Sequence, residues 1–390
     1  MTFEFATAGR IVFGPGRAAD VGRLTREWGT RAALLTGLHP NRHPGIRAAL
    51  EAAGVDVLPV CATLPHAEPD VALVVELARQ LREGRVECVV ALGGGGVLDA
   101  AKAAAALATN PGDPLNYLEV VGRGEPLACA PLPVIALPTT AGTGSEVTRN
   151  AVLNVPSHRA KVSLRHPLML PRIAIIDPLL THSVPPELTA ATGLDALTQC
   201  LEPLVCPRAN PLSDAVAWDG LSRAARSLRR AVRDGTDAAA REDLAFASLC
   251  GGLALANAGL GAVHGLAGPL GGLQSSAPHG ALCAALLAPV MAANLQALRE
   301  RAPESAALPR YQNIARVLTG DPHADAEAGV AWVRNLAADL GIRDLTALGL
   351  NPAELPVMIE KAMAASSMRA NPIVLTAGEL AGVLSDAGLP

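Results

Sequence analysis

Aromatic side chains are almost missing from this sequence: Phe, Tyr and Trp together make up 2% of its 390 residues. Ring stacking is therefore not its main recognition device. Lysine is scarce too. Lys102, Lys161 and Lys361 are the only three, and the other basic residues are arginine. No CxxC pair occurs among the seven cysteines, which excludes a zinc ribbon or a thioredoxin-type motif. Cys61, Cys88, Cys129, Cys200, Cys206, Cys250 and Cys283 read as reduced, mostly buried thiols of a cytoplasmic protein. The start, Met1-Thr2-Phe3-Glu4-Phe5, lacks a basic region followed by an apolar core, so no signal peptide is expected. A net charge of -4 gives no electrostatic pull toward nucleic acid or an anionic membrane. The most apolar stretch, Leu249 to Leu273, is rich in Gly and Ala, contains His264 and has no flanking aromatic anchors. It reads as a packed interior helix, not a membrane span.

What is present suits a two-domain globular protein, with half the residues apolar and only 17% charged. In the first half, strand-like runs at 32–37, 55–60, 88–92, 134–137 and 173–176 alternate with helical patterns at 46–53 and 70–83. That alternation predicts an α/β N-terminal domain with a mostly parallel sheet, Rossmann-like and dinucleotide-binding. From about Pro185 the strand signal stops. Helices are expected over 195–205, 211–232, 240–260, 281–301, 309–318, 325–340, 352–365 and 377–387, which makes an all-α C-terminal domain. The boundary is placed at 180, giving domains 1–180 and 181–390.

Two turns carry nucleotide chemistry. Gly93-Gly94-Gly95-Gly96 follows an apolar strand and leads into Asp99-Ala100-Ala101-Lys102, where backbone amides and a helix N-terminus can meet a pyrophosphate. The spacing is not GxGxxG. Pro138-Thr139-Thr140-Ala141-Gly142-Thr143-Gly144-Ser145-Glu146 follows another strand and offers hydroxyls and free amides for ribose and phosphate. Further on, Asp195 and Gln199 fall one helical turn apart on one face. With His264 and His279 they make a plausible cage for a divalent cation acting as a Lewis acid. A metal-free pocket, with Gln199 hydrogen-bonding substrate or structural water, is the other reading. His39, His43, His66, His158, His166, His182 and His323 have no partner at ligand spacing.

Taken together, Gly93–Lys102, Pro138–Glu146, Gly193-Leu-Asp-Ala-Leu-Thr-Gln199, His264-Gly265, Pro278-His279-Gly280 and Met368-Arg-Ala-Asn-Pro372 resemble the iron-containing, group III alcohol dehydrogenases, from about Phe5 to the end. The resemblance implies interconversion of alcohols with aldehydes or ketones using NAD or NADP. It also implies an active site in the cleft between the domains and a homodimer or larger homo-oligomer acting on a small molecule. Carried over by position, Gly94, Gly95, Gly96 and Asp99 would cradle the cofactor pyrophosphate and neighbouring ribose. Thr139, Thr140 and Thr143 would line its adenosine and phosphate side, and Lys161 would reach a ribose. Asp195, Gln199, His264 and His279 would hold Fe2+ or Zn2+, and Asp195, His264 and His279 would be catalytic.

Three departures stand out. Gln199 occupies a position where the family has a histidine ligand, and Gly268 one where many members carry a proton-relaying histidine. Gly37 stands where NAD-preferring members place an aspartate, which leaves NADP open, with Arg42 and Arg47 nearby in sequence. Glu202, one turn beyond Gln199, is a candidate support for the ligands. A metal-independent reductase like maleylacetate reductase, a non-redox enzyme of the dehydroquinate-synthase type and a nucleotide-binding protein without catalysis are the competing readings.

Overall fold

The computed structural model describes residues 2–64 and 68–390; His66 lies outside them. Eight strands form among these residues: β1 (Arg10–Phe13), β2 (Arg31–Thr36), β3 (Asp56–Cys61), β4 (Cys88–Gly93), β5 (Val134–Pro138), β6 (Asn150–Val155), β7 (Ala160–Arg165) and β8 (Ile173–Ile176). Six of them make one sheet in the order β1-β8-β5-β4-β2-β3, parallel throughout. Every residue of β4, β5 and β8 is buried, as expected for strands covered on both faces. Alternate side chains divide between two cores. Ala33, Leu35, Val89 and Ala91 pack with α3 (Val71–Glu83) and α4 (Gly95–Thr109). Ala32, Leu34, Val90 and Leu92 pack with α1 (Val21–Thr25) and α2 (Pro44–Ala52) on the other face. The antiparallel hairpin β6–β7 had no counterpart in the sequence reading, nor had the edge strand β1. β1 is only partly buried, and the hairpin strands mix buried with half-buried positions, so neither shows a continuous apolar run.

Sheet order fixes where a ligand belongs. The chain leaves β2 toward β3 through α2 and leaves β4 toward β5, on the other side, through α4. Connections that diverge from adjacent parallel strands open a crevice at their carboxyl ends. Gly37 and the Gly93–Gly94 turn sit there, since Thr36 pairs with Leu92. This unit comprises Ala6–Thr140 and Gly144–Ser183.

The second unit contains Val184–Pro390, the segment up to Phe5 and the short stretch Ala141–Thr143. Its helices are α5 (Pro186–Val205), α6 (Pro211–Arg233), α7 (Ala238–Asn257), α8 (Ala262–Leu273), α9 (His279–Arg301), α10 (Ala307–Thr319), α11 (Ala326–Asp339), α12 (Leu355–Ala364) and α13 (Ala377–Asp386). They share one apolar core. Two expectations need correction. Helix α5 begins at Pro186, not Asp195, because proline at the first helical position starts a helix well. The run read as one interior helix is broken after Asn257, and α8 leaves α7 at 96°. Gly259, at φ +116°, makes that corner. Helix α9 is long and apolar enough to cross a bilayer, but 72% of its most apolar window is buried within the protein.

Candidate metal and cofactor sites

Asp195, Gln199 and Glu202 rise along one face of α5 and are all buried. His264 comes from the first turn of α8, and His279 opens α9 with Cys283 one turn further on. A tight approach seats α9. A Cβ on Gly280 would lie 2.6 Å from the Ala191 carbonyl oxygen of α5, so the backbones meet only because residue 280 has no side chain. As a result one ligand atom from each of Asp195, His264, His279 and Cys283 lies within 4.8 Å of the others. His264 Nε2 is 3.2 Å from Asp195 Oδ1, and its Nδ1 is 2.6 Å from Glu202 Oε2. The His264 and His279 rings are tilted by 52° with centroids 5.4 Å apart, and Cys283 Sγ is 3.6 Å from His279 Nε2.

The charges here are mutually dependent. Burial works against ionisation of Asp195, but its hydrogen bond to His264 and the nearby imidazoles win and hold its pKa below the usual value. Burial also opposes protonation of His264. Cys283, Glu202 and Asp195 outweigh it, so that pKa lies well above the ordinary one. For His279 burial is likewise overcome, by Cys283 and Asp195, and its pKa is raised. Two buried carboxylates in an apolar helical core call for compensating positive charge. A divalent cation fits that requirement, and a carboxylate, two imidazoles and a thiol are donors suited to zinc or ferrous iron.

Cys283 escaped the sequence reading, which grouped all the thiols as reduced and mostly buried. The available signal was its spacing: His279 and Cys283 are four apart, as are Asp195 and Gln199. The structure brings Asp195, His264 and His279 together as expected. Gln199 is buried, with Nε2 donating to the Gly142 carbonyl at 2.9 Å. Glu202 is the support the spacing suggested, and Oε1 of the same carboxylate accepts from the Val263 amide at 2.8 Å. Around Gly268 a Cβ would meet nothing within 4 Å, so the missing histidine leaves open space. His39, His43, His158, His166, His182 and His323 belong to no donor cluster among the described residues.

In the sheet unit, Gly94 caps α4, and Gly95 and Gly96 form its first turn, where amides lack helical acceptors. A Cβ on Gly93 would fall 2.6 Å from Val97 Cβ, which explains that glycine. One on Gly94 would sit 3.2 Å from Thr140 Oγ1, so the glycine and threonine turns lie side by side. Thr139 also donates its amide to the Gly93 carbonyl at 2.9 Å. Asp99 spends its carboxylate inside the protein. Ser145 Oγ donates to it at 2.5 Å, the Val152 amide at 2.9 Å, and Lys102 Nζ lies 3.2 Å away. Lys102 also donates to the Ser145 carbonyl and to Thr148 Oγ1, so the two motifs are tied through one buried ammonium. Lys161 is no solvated cation: its side chain is 2% exposed and its Nζ is 2.7 Å from Glu68 Oε1. Thr143 is part of the helical unit.

Known proteins match along nearly the whole chain. The model of the iron-containing alcohol dehydrogenases matches residues 8–178, and that of the Fe-containing alcohol dehydrogenase family, C-terminal, matches 189–388. The 1,3-propanediol dehydrogenase of Klebsiella pneumoniae is 35% identical over 99% of this chain and 98% of its own. A crystal structure of 1,3-propanediol oxidoreductase superposes with a TM-score of 0.89 at 33% identity, covering 99% of this chain and 100% of the other. Sulfoacetaldehyde reductase from Bifidobacterium kashiwanohense, solved with NAD+, gives 0.84 at 29% identity, with 99% and 98% covered. With both halves matched in order, the chain belongs to the iron-containing alcohol dehydrogenase family.

Proposed function

We propose that this protein interconverts a small aliphatic alcohol and its aldehyde or ketone by hydride exchange with a nicotinamide dinucleotide, with Asp195, His264 and His279 holding a divalent cation. The observation that carries the reading is the convergence of α5, α8 and α9 on one buried donor cluster. A cation held there supplies Lewis-acid polarisation of a substrate oxygen. The dinucleotide supplies or accepts the hydride.

The chain's own residues do the positioning. Glu202 fixes the His264 ring by accepting at Nδ1, which turns Nε2 toward Asp195. In the sheet unit, Gly94, Gly95 and Gly96 offer amides to a pyrophosphate, with Thr139 and Thr140 beside them. Asp99 and Lys102 keep that threonine turn in place. NADP(H) is accepted at least as well as NAD(H) in this reading. Residue 37, at the end of β2, has no carboxylate to repel a 2′-phosphate, and an open cavity of about 430 Å³ beside it is lined by Leu38, His39, Pro40, Asn41 and Arg42.

The test is elemental analysis of purified protein beside a panel of short aliphatic aldehydes and diols with NADH and NADPH. Metal-dependent oxidation of either nucleotide is the expected result. Turnover unaffected by exhaustive chelation would favour the metal-independent alternative, and no turnover with any carbonyl substrate would remove the redox reading.

A further inference from the structure

Two side chains compete for the fourth donor position around Asp195, His264 and His279. By sequence alignment with the family motif it is Gln199. The structure ties the nitrogen of that amide to the Gly142 carbonyl, and a neutral amide oxygen is a poor donor for zinc or iron. Cys283 comes from the other side, fully buried on α9, and its Sγ lies within 4.8 Å of all three other ligand atoms.

We propose that Cys283 is the fourth protein ligand of this centre, so that the ion is held by one carboxylate, two imidazoles and one thiolate. The proposal rests on the functional reading above. It departs from an all-nitrogen-and-oxygen donor set, and nothing about the family motif announces it. The chemistry balances simply: a sulfur–metal bond forms, the Sγ–H bond breaks, and the proton passes to solvent without any change of oxidation state. His279 and Cys283 are one turn apart on a single helix, so the spacing that lets two side chains of α9 face one ion is built into its pitch. Zinc sometimes takes a fifth ligand in the transition state, so four protein donors would still leave a substrate oxygen a place on the ion.

Zinc K-edge X-ray absorption on the metal-loaded wild-type protein provides a test that needs no variant. One sulfur scatterer at about 2.3 Å is expected, among nitrogen and oxygen neighbours. No other cysteine belongs to a donor cluster among the described residues, so that sulfur identifies Cys283. The cobalt-substituted protein should show a near-ultraviolet thiolate-to-metal band that is lost in Cys283→Ser and kept in Gln199→Ala. A shell of nitrogen and oxygen alone, or a band that survives Cys283→Ser, overturns the assignment while leaving the functional reading intact. Failure of the wild-type protein to take up zinc or cobalt overturns the functional reading itself, and this assignment with it.

Discussion

Glu202 Oε2 lies 2.6 Å from His264 Nδ1, while Oε1 of the same carboxylate accepts the Val263 amide at 2.8 Å. One side chain thus orients a ligand and satisfies an open amide at the start of α8. Glu202→Gln can still accept from Val263 but loses the charge facing the ring. Metal affinity, measured by chelator competition, should fall roughly 10–100-fold. Glu202→Ala removes the cap as well and should cost about 1 kcal/mol more in denaturant unfolding.

Asp195→Ala and His264→Ala each remove a donor from the cluster. Loss of several kcal/mol of transition-state stabilisation is expected, or a fall in turnover of about a thousandfold. Nucleotide affinity, followed by quenching or calorimetry, should stay within a few-fold, as the Gly94 and Thr140 turns belong to the sheet unit. Parallel loss of nucleotide binding would count against the separation of roles.

Gly280→Ala changes no charge, yet its methyl group would press on the Ala191 backbone. Backbone cannot swing aside as a flexible side chain can, so α9 must shift and carry His279 with it. We expect roughly 1–3 kcal/mol of destabilisation together with weaker metal binding. Unchanged metal content in a destabilised variant would show that the start of α9 does not position the ligand.

Gly37→Asp should turn the protein against NADPH by placing a carboxylate at the end of β2. A Cβ at this position meets only Val97 Cγ2, at 3.4 Å, so the change is sterically tolerable. The ratio of kcat/KM for NADPH over NADH should drop by about tenfold or more, in line with a repulsion above roughly 1.4 kcal/mol.

Glu146, buried at the end of the threonine motif, has its pKa pushed up to about 7 by burial, which a backbone hydrogen bond and Lys102 oppose only in part. The folded state therefore holds a proton that the unfolded state has lost between about pH 4.5 and 7. Stability is greatest below that window and declines as pH rises through it, by on the order of 3 kcal/mol. Glu146→Gln should be the more stable protein at pH 8, and the two unfolding midpoints should converge toward pH 5. A gap independent of pH would mean that the carboxyl is already ionised throughout.

How much of this was legible depended on what each signal measures. Apolar runs located β2, β4, β5 and β8, because a strand buried on both faces leaves a continuous mark. The β6–β7 hairpin left none, since its pairing is a long-range property of two half-buried segments. Asp195, His264 and His279 stood out as candidate donors by residue type and by the motifs they share with the family, and the structure gathers them in one cluster. Cys283 did not stand out, because composition alone makes a thiol look like core filling. Asn371 was noticed as part of a motif, but its task appeared only in three dimensions: it accepts the Ala262 amide at 3.0 Å and pairs with Asn294. Lys102 and Asp99 read as part of a phosphate turn, whereas their contacts are with Ser145, Thr148 and Val152.

The double duty of Glu202 constrains how this protein could change over time. A lineage drifting toward metal-free catalysis could discard Asp195 or Cys283 singly, since neither closes off a helix end. Giving up Glu202 would first require some other group to meet the Val263 amide. That carboxylate should therefore outlast the ion it serves, persisting in relatives that no longer bind one.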